Sequence, residues 1–93
     1  MPVEVVLPEY LRTFADGARR VQLSANVVTV RDALDALAAT YPGVVSRVRT
    51  EQGEVREHVN IFVQGESIRD GDGLGTRLHP DEELLIVPAV SGG

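Results

Sequence analysis

Residues 29–43 read TVRDALDALAATYPG, and this stretch decides the fold. Thr29, followed three positions later by Asp32, is a capping-box pattern, because each side chain can accept a hydrogen bond from a free amide at a helix start. Pro42-Gly43 is expected to stop the helix. Between these signals the apolar residues recur at helical spacing. They predict one amphipathic helix with the stripe Val30, Ala33, Leu34, Leu37, Ala38 and Tyr41.

Apolar runs bounded by turn residues predict the strands around this helix. Two strands precede the helix and three follow it, at residues 3–7, 20–24, 59–63, 67–69 and 83–87. The first two form a hairpin with a long loop that turns at Asp16-Gly17, and Gln64-Gly65 turns the chain between the third and fourth. Residues 44–49 are interpreted as a further short turn of helix and residues 50–57 as an exposed loop.

One amphipathic helix cannot bury its stripe alone, so it is expected to pack across one face of a mixed sheet. The order of elements is that of an α+β, ubiquitin-like β-grasp, with four to five strands packed on one main helix. The last strand is expected at or near the middle of the sheet, and its apolar run Leu84–Val87 predicts burial on both faces. Residues 1–87 are assigned to this domain and residues 88–93 to a flexible C-terminal tail.

The composition restricts the function classes. A chain of 93 residues is the size of one domain, and its formal charge of −5 argues against a nucleic-acid partner. No apolar run approaches the roughly 18–20 residues of a membrane helix, and Met1–Glu4 lacks the start of a signal peptide. The chain has no cysteine, hence no disulfide framework and no thiolate nucleophile, and the cytoplasm is the expected compartment.

No internal catalytic constellation is predicted. The run Gly71–Gly75 does not suit a nucleotide-binding loop, because Asp70 and Asp72 would repel phosphates and no helix follows. His58 and His79, the only histidines, lack the partner spacing of a zinc site, and no metal site is expected.

The ending Ser91-Gly92-Gly93 is the candidate reactive segment. A strand leads into it, and the six residues after Val87 could extend roughly 20 Å beyond the sheet. Glycine has no Cβ, so a tail that ends in two glycines is narrow. Ser91 and Gly92 are therefore expected to thread a narrow cleft and present the Gly93 carboxylate. A merely disordered or truncated end is the rival explanation.

Two stretches resemble the ubiquitin-like sulfur carriers of the MoaD/ThiS family. They are the tail from Pro88 to Gly93, and the strand Val59–Val63 followed by Asp70-Gly71. Within the family, the loop at residues 50–57 and the tail favour the carrier of bacterial cysteine synthesis over the small subunit of molybdopterin synthase. The family usually has alanine before the two glycines, where this chain has Ser91.

The resemblance implies a protein co-substrate rather than an enzyme. A partner adenylyltransferase of the ubiquitin-activating type would join Gly93 to AMP with ATP and Mg²⁺, and the carrier itself binds no cofactor. A persulfide or sulfide sulfur would then replace AMP and leave a thiocarboxylate on Gly93. The acceptor would be a pyridoxal-phosphate-dependent cysteine synthase, with a metalloprotease releasing the cysteine, or the large subunit of molybdopterin synthase.

Strand alternation predicts a docking surface for these partners. Val59, Ile61 and Val63 should face the helix, and Phe62, Leu85 and Val87 should point away from it and form an exposed apolar patch. An equally good interpretation is that these three residues pack under a loop or cap the sheet.

Two other classes of function stay open. A ubiquitin-like modifier that forms isopeptide bonds with lysines of other proteins would use the same tail and the same activation. A plain binding domain would carry the glycines incidentally. The mass of the protein after incubation with ATP, the partner and a sulfur donor would distinguish these classes from a sulfur carrier.

Overall fold

The computed structural model describes residues 3–23 and 26–88. Its strands are β1 (Glu4–Val6), β2 (Arg20–Gln22), β3 (Val59–Val63), β4 (Glu66–Ser67) and β5 (Glu83–Pro88). Its helices are α1 (Glu9–Arg12), α2 (Val30–Thr40) and α3 (Pro42–Val48), with 3-10 turns at Thr13–Ala15, Ile68–Asp70 and Gly73–Gly75. No helix in these two segments is long and apolar enough to cross a membrane.

The five strands form one mixed sheet in the order β2-β1-β5-β3-β4. β5 lies in the middle, parallel to β1 and antiparallel to β3, which confirms the predicted central position of the last strand. The helices supply buried residues to the same core as one face of the sheet, among them Leu11 of α1, Leu34 of α2 and Val48 of α3. The architecture is therefore a sheet with helices on one side.

The prediction that β5 is buried on both faces is wrong. Leu84 and Ile86 are fully buried, but Leu85 between them keeps 37% of its surface exposed. The physical reason is that α1, α2 and α3 all pack on the same side of the sheet, so that among the described residues only one face is covered. We call the uncovered side the open face.

The predicted helix is confirmed as α2, together with its capping box. Asp32 N–H donates to Thr29 Oγ1 at 3.2 Å, and Thr29 N–H donates back to Asp32 Oδ2 at 3.1 Å. Pro42 ends α2 as predicted, and it also starts α3, because proline suits the first turn of a helix.

Two predicted elements need correction. The long loop of the first hairpin contains α1 and a 3-10 turn, and buries Leu11 and Ala15. The sequence predicts the return strand at residues 67–69, whereas the observed strand β4 is Glu66–Ser67. The positive φ angles of Gln64 and Gly65 allow a two-residue turn, so pairing with β3 begins one residue earlier than predicted.

The capping box makes a prediction about pH. Hydrogen bonds from the Val28 and Thr29 N–H groups lower the pKa of Asp32 below its ordinary value of 3.8. A carboxyl group whose pKa is lower in the folded state stabilises the protein above its unfolded-state pKa, and this contribution is lost as the pH falls through the folded-state pKa. The Asp32→Asn variant should therefore be less stable than the original chain at pH 7. Urea unfolding should show this difference shrinking at pH 3, and a difference of equal size at both pH values would contradict the prediction.

Candidate functional site

The predicted reactive tail begins where the central strand ends. β5 runs to Pro88, which lies opposite Val59 of β3. Ser91, Gly92 and Gly93 lie outside the described residues, so their predicted roles stay predictions. The structure does fix the base of the tail, because β5 has β1 on one side and β3 on the other. Whatever follows Pro88 leaves from the middle strand of the sheet.

Apolar side chains lie side by side on the open face next to this base. In the strand register, Leu85 of β5 lies between Val6 of β1 and Phe62 of β3, and Val87 follows two residues later on β5. Leu85 is exposed, Phe62 and Val87 are half-buried, and Val6 is 9% exposed. We call these four residues the open-face patch. The predicted orientation of Phe62, Leu85 and Val87 is confirmed, and their role in binding a partner stays a prediction.

One side of the patch carries an ion-pair network. Arg20 Nη1 lies 2.7 Å from Glu4 Oε1 and 2.7 Å from Glu83 Oε2, so one guanidinium joins β2, β1 and β5. The hydrogen bonds that Arg20 donates to Glu83 and to Glu4 raise the pKa of Arg20 above its ordinary value. The side chains of Arg20 and Glu83 are exposed and that of Glu4 is half-buried, and ion pairs in contact with solvent contribute little to stability. Their effect is to place fixed charges beside an apolar surface.

The other side carries a second arginine, Arg69, close to the end of β5. Asn60 of β3 lies opposite Val87, and its side-chain oxygen accepts a hydrogen bond from Arg69 Nη1. Arg69 Nη2 donates to the backbone oxygen of Arg56 at 2.7 Å. These contacts hold the guanidinium of Arg69 beside the end of β5. An open concavity of about 690 Å³ lies here, lined by Asn60, Phe62, Gly65, Glu66, Ser67, Arg69 and Asp70.

The two histidines do not come together. His58 is exposed just before β3, where it lines a groove with Tyr10, Phe14 and Arg47. His79 lies in the loop before β5, with its Nε2 atom 4.0 Å from Glu82 Oε1. Across residues 3–23 and 26–88, no three histidine or acidic side chains group closely enough to hold a metal ion.

Sequence reasoning missed part of this surface. The patch member Val6 lies beside Leu85 because β1 pairs with β5 in this register, which the local pattern of β1 does not reveal. Arg20, Glu4 and Glu83 are far apart along the chain and meet only through the register of three strands. The same is true of Arg69 and Asn60. No signal within one segment could have found these contacts.

Comparison with known proteins gives a consistent result. The family model described as the ThiS family matches residues 5–93. Small archaeal modifier protein 1 of Haloferax volcanii is 38% identical over 88 residues, which cover 88% of this chain and 97% of the relative. Sulfur carrier protein CysO of Mycobacterium tuberculosis is 33% identical over 95 residues, and the alignment covers both chains completely.

Solved structures agree with these matches. A chain in the crystal structure of the Amycolatopsis orientalis BexX/CysO complex has a TM-score of 0.86 and 30% identity, with 98% of this chain and 99% of that chain covered. The crystal structure of SAMP1 from Haloferax volcanii has a TM-score of 0.81 and 36% identity, with both chains covered completely. This likeness to sulfur carriers and small modifiers confirms the predicted ubiquitin-like β-grasp.

Proposed function

Because this chain belongs to the ThiS family, we propose that it is a protein sulfur carrier that works through a thiocarboxylate on Gly93. The observation that carries the proposal is the alignment of the whole chain with a relative named sulfur carrier protein CysO. The architecture supports it, because the central strand of the sheet leads to the tail and an apolar patch lies beside that strand. The same relative favours cysteine synthesis as the destination of the sulfur.

The chemistry needs an activating partner, because a carboxylate is a poor acyl donor. An oxygen of the Gly93 carboxylate attacks the α-phosphorus of Mg²⁺-bound ATP, and pyrophosphate leaves. A sulfide sulfur then attacks the acyl carbon, the bond from that carbon to the AMP oxygen breaks, and AMP leaves a thiocarboxylate behind. A persulfide donor would in addition need a thiol that reduces the sulfur–sulfur bond. The carrier supplies the acyl group, and the partner supplies the catalysis.

The partners follow from this chemistry. The activator is an adenylyltransferase of the ubiquitin-activating type, and the open-face patch is its proposed docking surface. The acceptor is a pyridoxal-phosphate-dependent cysteine synthase, whose enzyme-bound aminoacrylate would take the sulfur, followed by a metalloprotease that releases cysteine. In this proposal the chain is a co-substrate of all three enzymes and catalyses nothing itself.

A second candidate function rests on a separate observation. The 38% identity to small archaeal modifier protein 1 favours a modifier that is attached to other proteins. Adenylation of Gly93 is common to both functions. They differ in the nucleophile that takes the acyl group, which is sulfur for a carrier and a lysine amine of another protein for a modifier.

Intact-protein mass spectrometry tests the proposal. After incubation with the adenylyltransferase, ATP, Mg²⁺ and sulfide, we expect a mass increase equal to the exchange of one oxygen for sulfur. The matched control omits ATP and should keep the original mass. Conjugates with other proteins and no sulfur-containing species would favour the modifier. An unchanged mass with an active partner would overturn both functions.

A further inference from the structure

Apart from its two histidines, all the basic side chains of this sequence are arginines. The nine residues counted as lysine plus arginine are Arg12, Arg19, Arg20, Arg31, Arg47, Arg49, Arg56, Arg69 and Arg77, and there is no lysine among the 93 residues. There is no cysteine either. The chain thus lacks the two side chains that most readily attack an activated carboxylate, which are the lysine amine and the cysteine thiolate.

We propose that this composition protects the activated tail, because none of the chain's own side chains offers it a lysine amine or a cysteine thiolate. The inference rests on the proposed activation of Gly93. An amine would attack the acyl carbon, the bond to the AMP oxygen would break, AMP would leave, and the nitrogen would lose a proton to give an amide. This side reaction would consume the activated group before sulfur reaches it.

Arginine resists the reaction because its guanidinium stays protonated. Its pKa lies about 2 to 3 units above that of lysine, so the neutral fraction is roughly 100 to 1,000 times smaller at any pH near neutrality. Arginine nevertheless keeps the positive charge and the hydrogen-bond donors of a basic side chain. Arginine can therefore make polar contacts near the tail without offering a nucleophile.

Arg69 is the arginine at which a lysine would endanger the activated tail most. Its guanidinium is bound to the side chain of Asn60, and Asn60 lies opposite Val87, the residue before the last described residue of β5. Directly opposed residues in an antiparallel pair lie about 5 Å apart. The five residues after Pro88 can span up to about 17 Å. Simple reach therefore allows Gly93 to return to the position of the Arg69 side chain.

A lysine at position 69 would meet the activated group at high concentration. Short flexible links give effective concentrations on the order of millimolar, far above the concentration of a dilute protein in solution. The predicted product is a chain closed on itself by an isopeptide bond between Gly93 and residue 69. The same reasoning predicts that copies of the original chain cannot be joined to one another through lysine side chains.

A chemically activated tail tests this inference without any partner enzyme. The chain is prepared as the thioester of 2-mercaptoethanesulfonate at Gly93 by intein cleavage, and its fate at pH 8.5 is followed by intact mass and peptide mapping. In the original chain the thioester should be lost mainly by hydrolysis, and peptide mapping should find no amide between Gly93 and a side chain. The Arg69→Lys variant should give a product lighter than the hydrolysed chain by one water, in a fraction at least about tenfold larger than in the original chain.

Two variants serve as controls. Arg69→Gln removes the same guanidinium without adding an amine and should only hydrolyse. Arg77→Lys adds an amine in the loop that leads into β5, next to Thr29 and at the opposite end of β5 from the tail, and should close more slowly. The inference is overturned if Arg69→Lys only hydrolyses, or if peptide mapping finds Gly93 of the original chain joined to one of its own side chains. Neither result bears on adenylation by the partner, which the sulfide experiment tests separately.

Discussion

A chain without Gly93 is expected to lose thiocarboxylate formation by at least about a hundredfold, because the carboxylate that it presents is displaced by one residue. One extended residue spans about 3.5 Å, which is comparable to the distance between reacting atoms in a productive complex. The tail starts from a fixed point, since Pro88 lies in the central strand opposite Val59. If the carrier docks through the open face as proposed, it cannot slide forward by 3.5 Å without giving up those contacts.

Two further variants separate length from side chain in this test. Ser91→Ala keeps the length of the tail and should be activated like the original chain, because Ser91 is proposed only to thread the cleft. Gly93→Ala keeps the length but adds a Cβ next to the reacting carboxylate, and should be activated poorly. The measurement is ATP–pyrophosphate exchange with the adenylyltransferase, followed by intact mass after sulfide is added. Activation of the shortened chain at the original rate would contradict the assignment of Gly93.

The parts of the fold that the sequence predicted are its long or strongly patterned segments. α2 carries a capping box at one end, a proline at the other and an apolar stripe between them, so three independent signals agree. β3 was predicted with its exact observed bounds because its odd-numbered residues are all apolar and bury together. The central position of β5 followed from topology, since one main helix and a β-grasp order leave few alternatives.

The parts that were missed are short or depend on tertiary contacts. α1 has only four residues and no side-chain cap, so its local pattern is weak. Leu11 at its core-facing side is recognisable as helical only once the sheet that it covers is known. Burial of β5 on both faces was inferred from its apolar run, but a run of this kind shows only that a strand is apolar, and the second face needs a second layer of helices.

The candidate site likewise has features that the sequence predicts and features that depend on tertiary contacts. Strand alternation alone predicted that Phe62, Leu85 and Val87 share the open face, because the two-residue period survives any error in register between strands. The contribution of Val6 and the contacts of Arg69 require the register itself. The tail was identified by residue type and family resemblance, and Ser91, Gly92 and Gly93 remain outside the described residues.

In the proposed function, the position of the open-face patch would link binding of the partner to placement of the tail. Leu85 and Val87 of the patch belong to the same strand that leads into the tail, so a partner that binds the open face also sets where the tail begins. A tail on an edge strand would leave from the side of the sheet, and a partner would need a second contact to locate it. Docking on the central strand needs only one surface.

Leu85→Arg is accordingly the second change for which we expect a large effect. Leu85 is 37% exposed and has Val6 on one side and Phe62 on the other, so it lies at the middle of the patch. A charge placed there would be desolvated by the partner without a counter-charge. Loss of a central interface residue typically costs about 2 kcal/mol or more, equivalent to a roughly 30-fold rise in KM for the carrier. The fold should survive, because the side chain points away from the core.

Val28→Arg is the matched control, because Val28 is an aliphatic residue that is 42% exposed and precedes α2, outside the sheet. Both variants add the same charge to the chain, so any long-range electrostatic effect on association is common to the pair. Circular dichroism and urea unfolding should give nearly equal values for the two, whereas ATP–pyrophosphate exchange should separate them. The Phe62→Arg variant should behave like Leu85→Arg, since Phe62 is its neighbour on β3. Equal KM values for Leu85→Arg and Val28→Arg, with both chains folded, would show that the adenylyltransferase does not bind the open face.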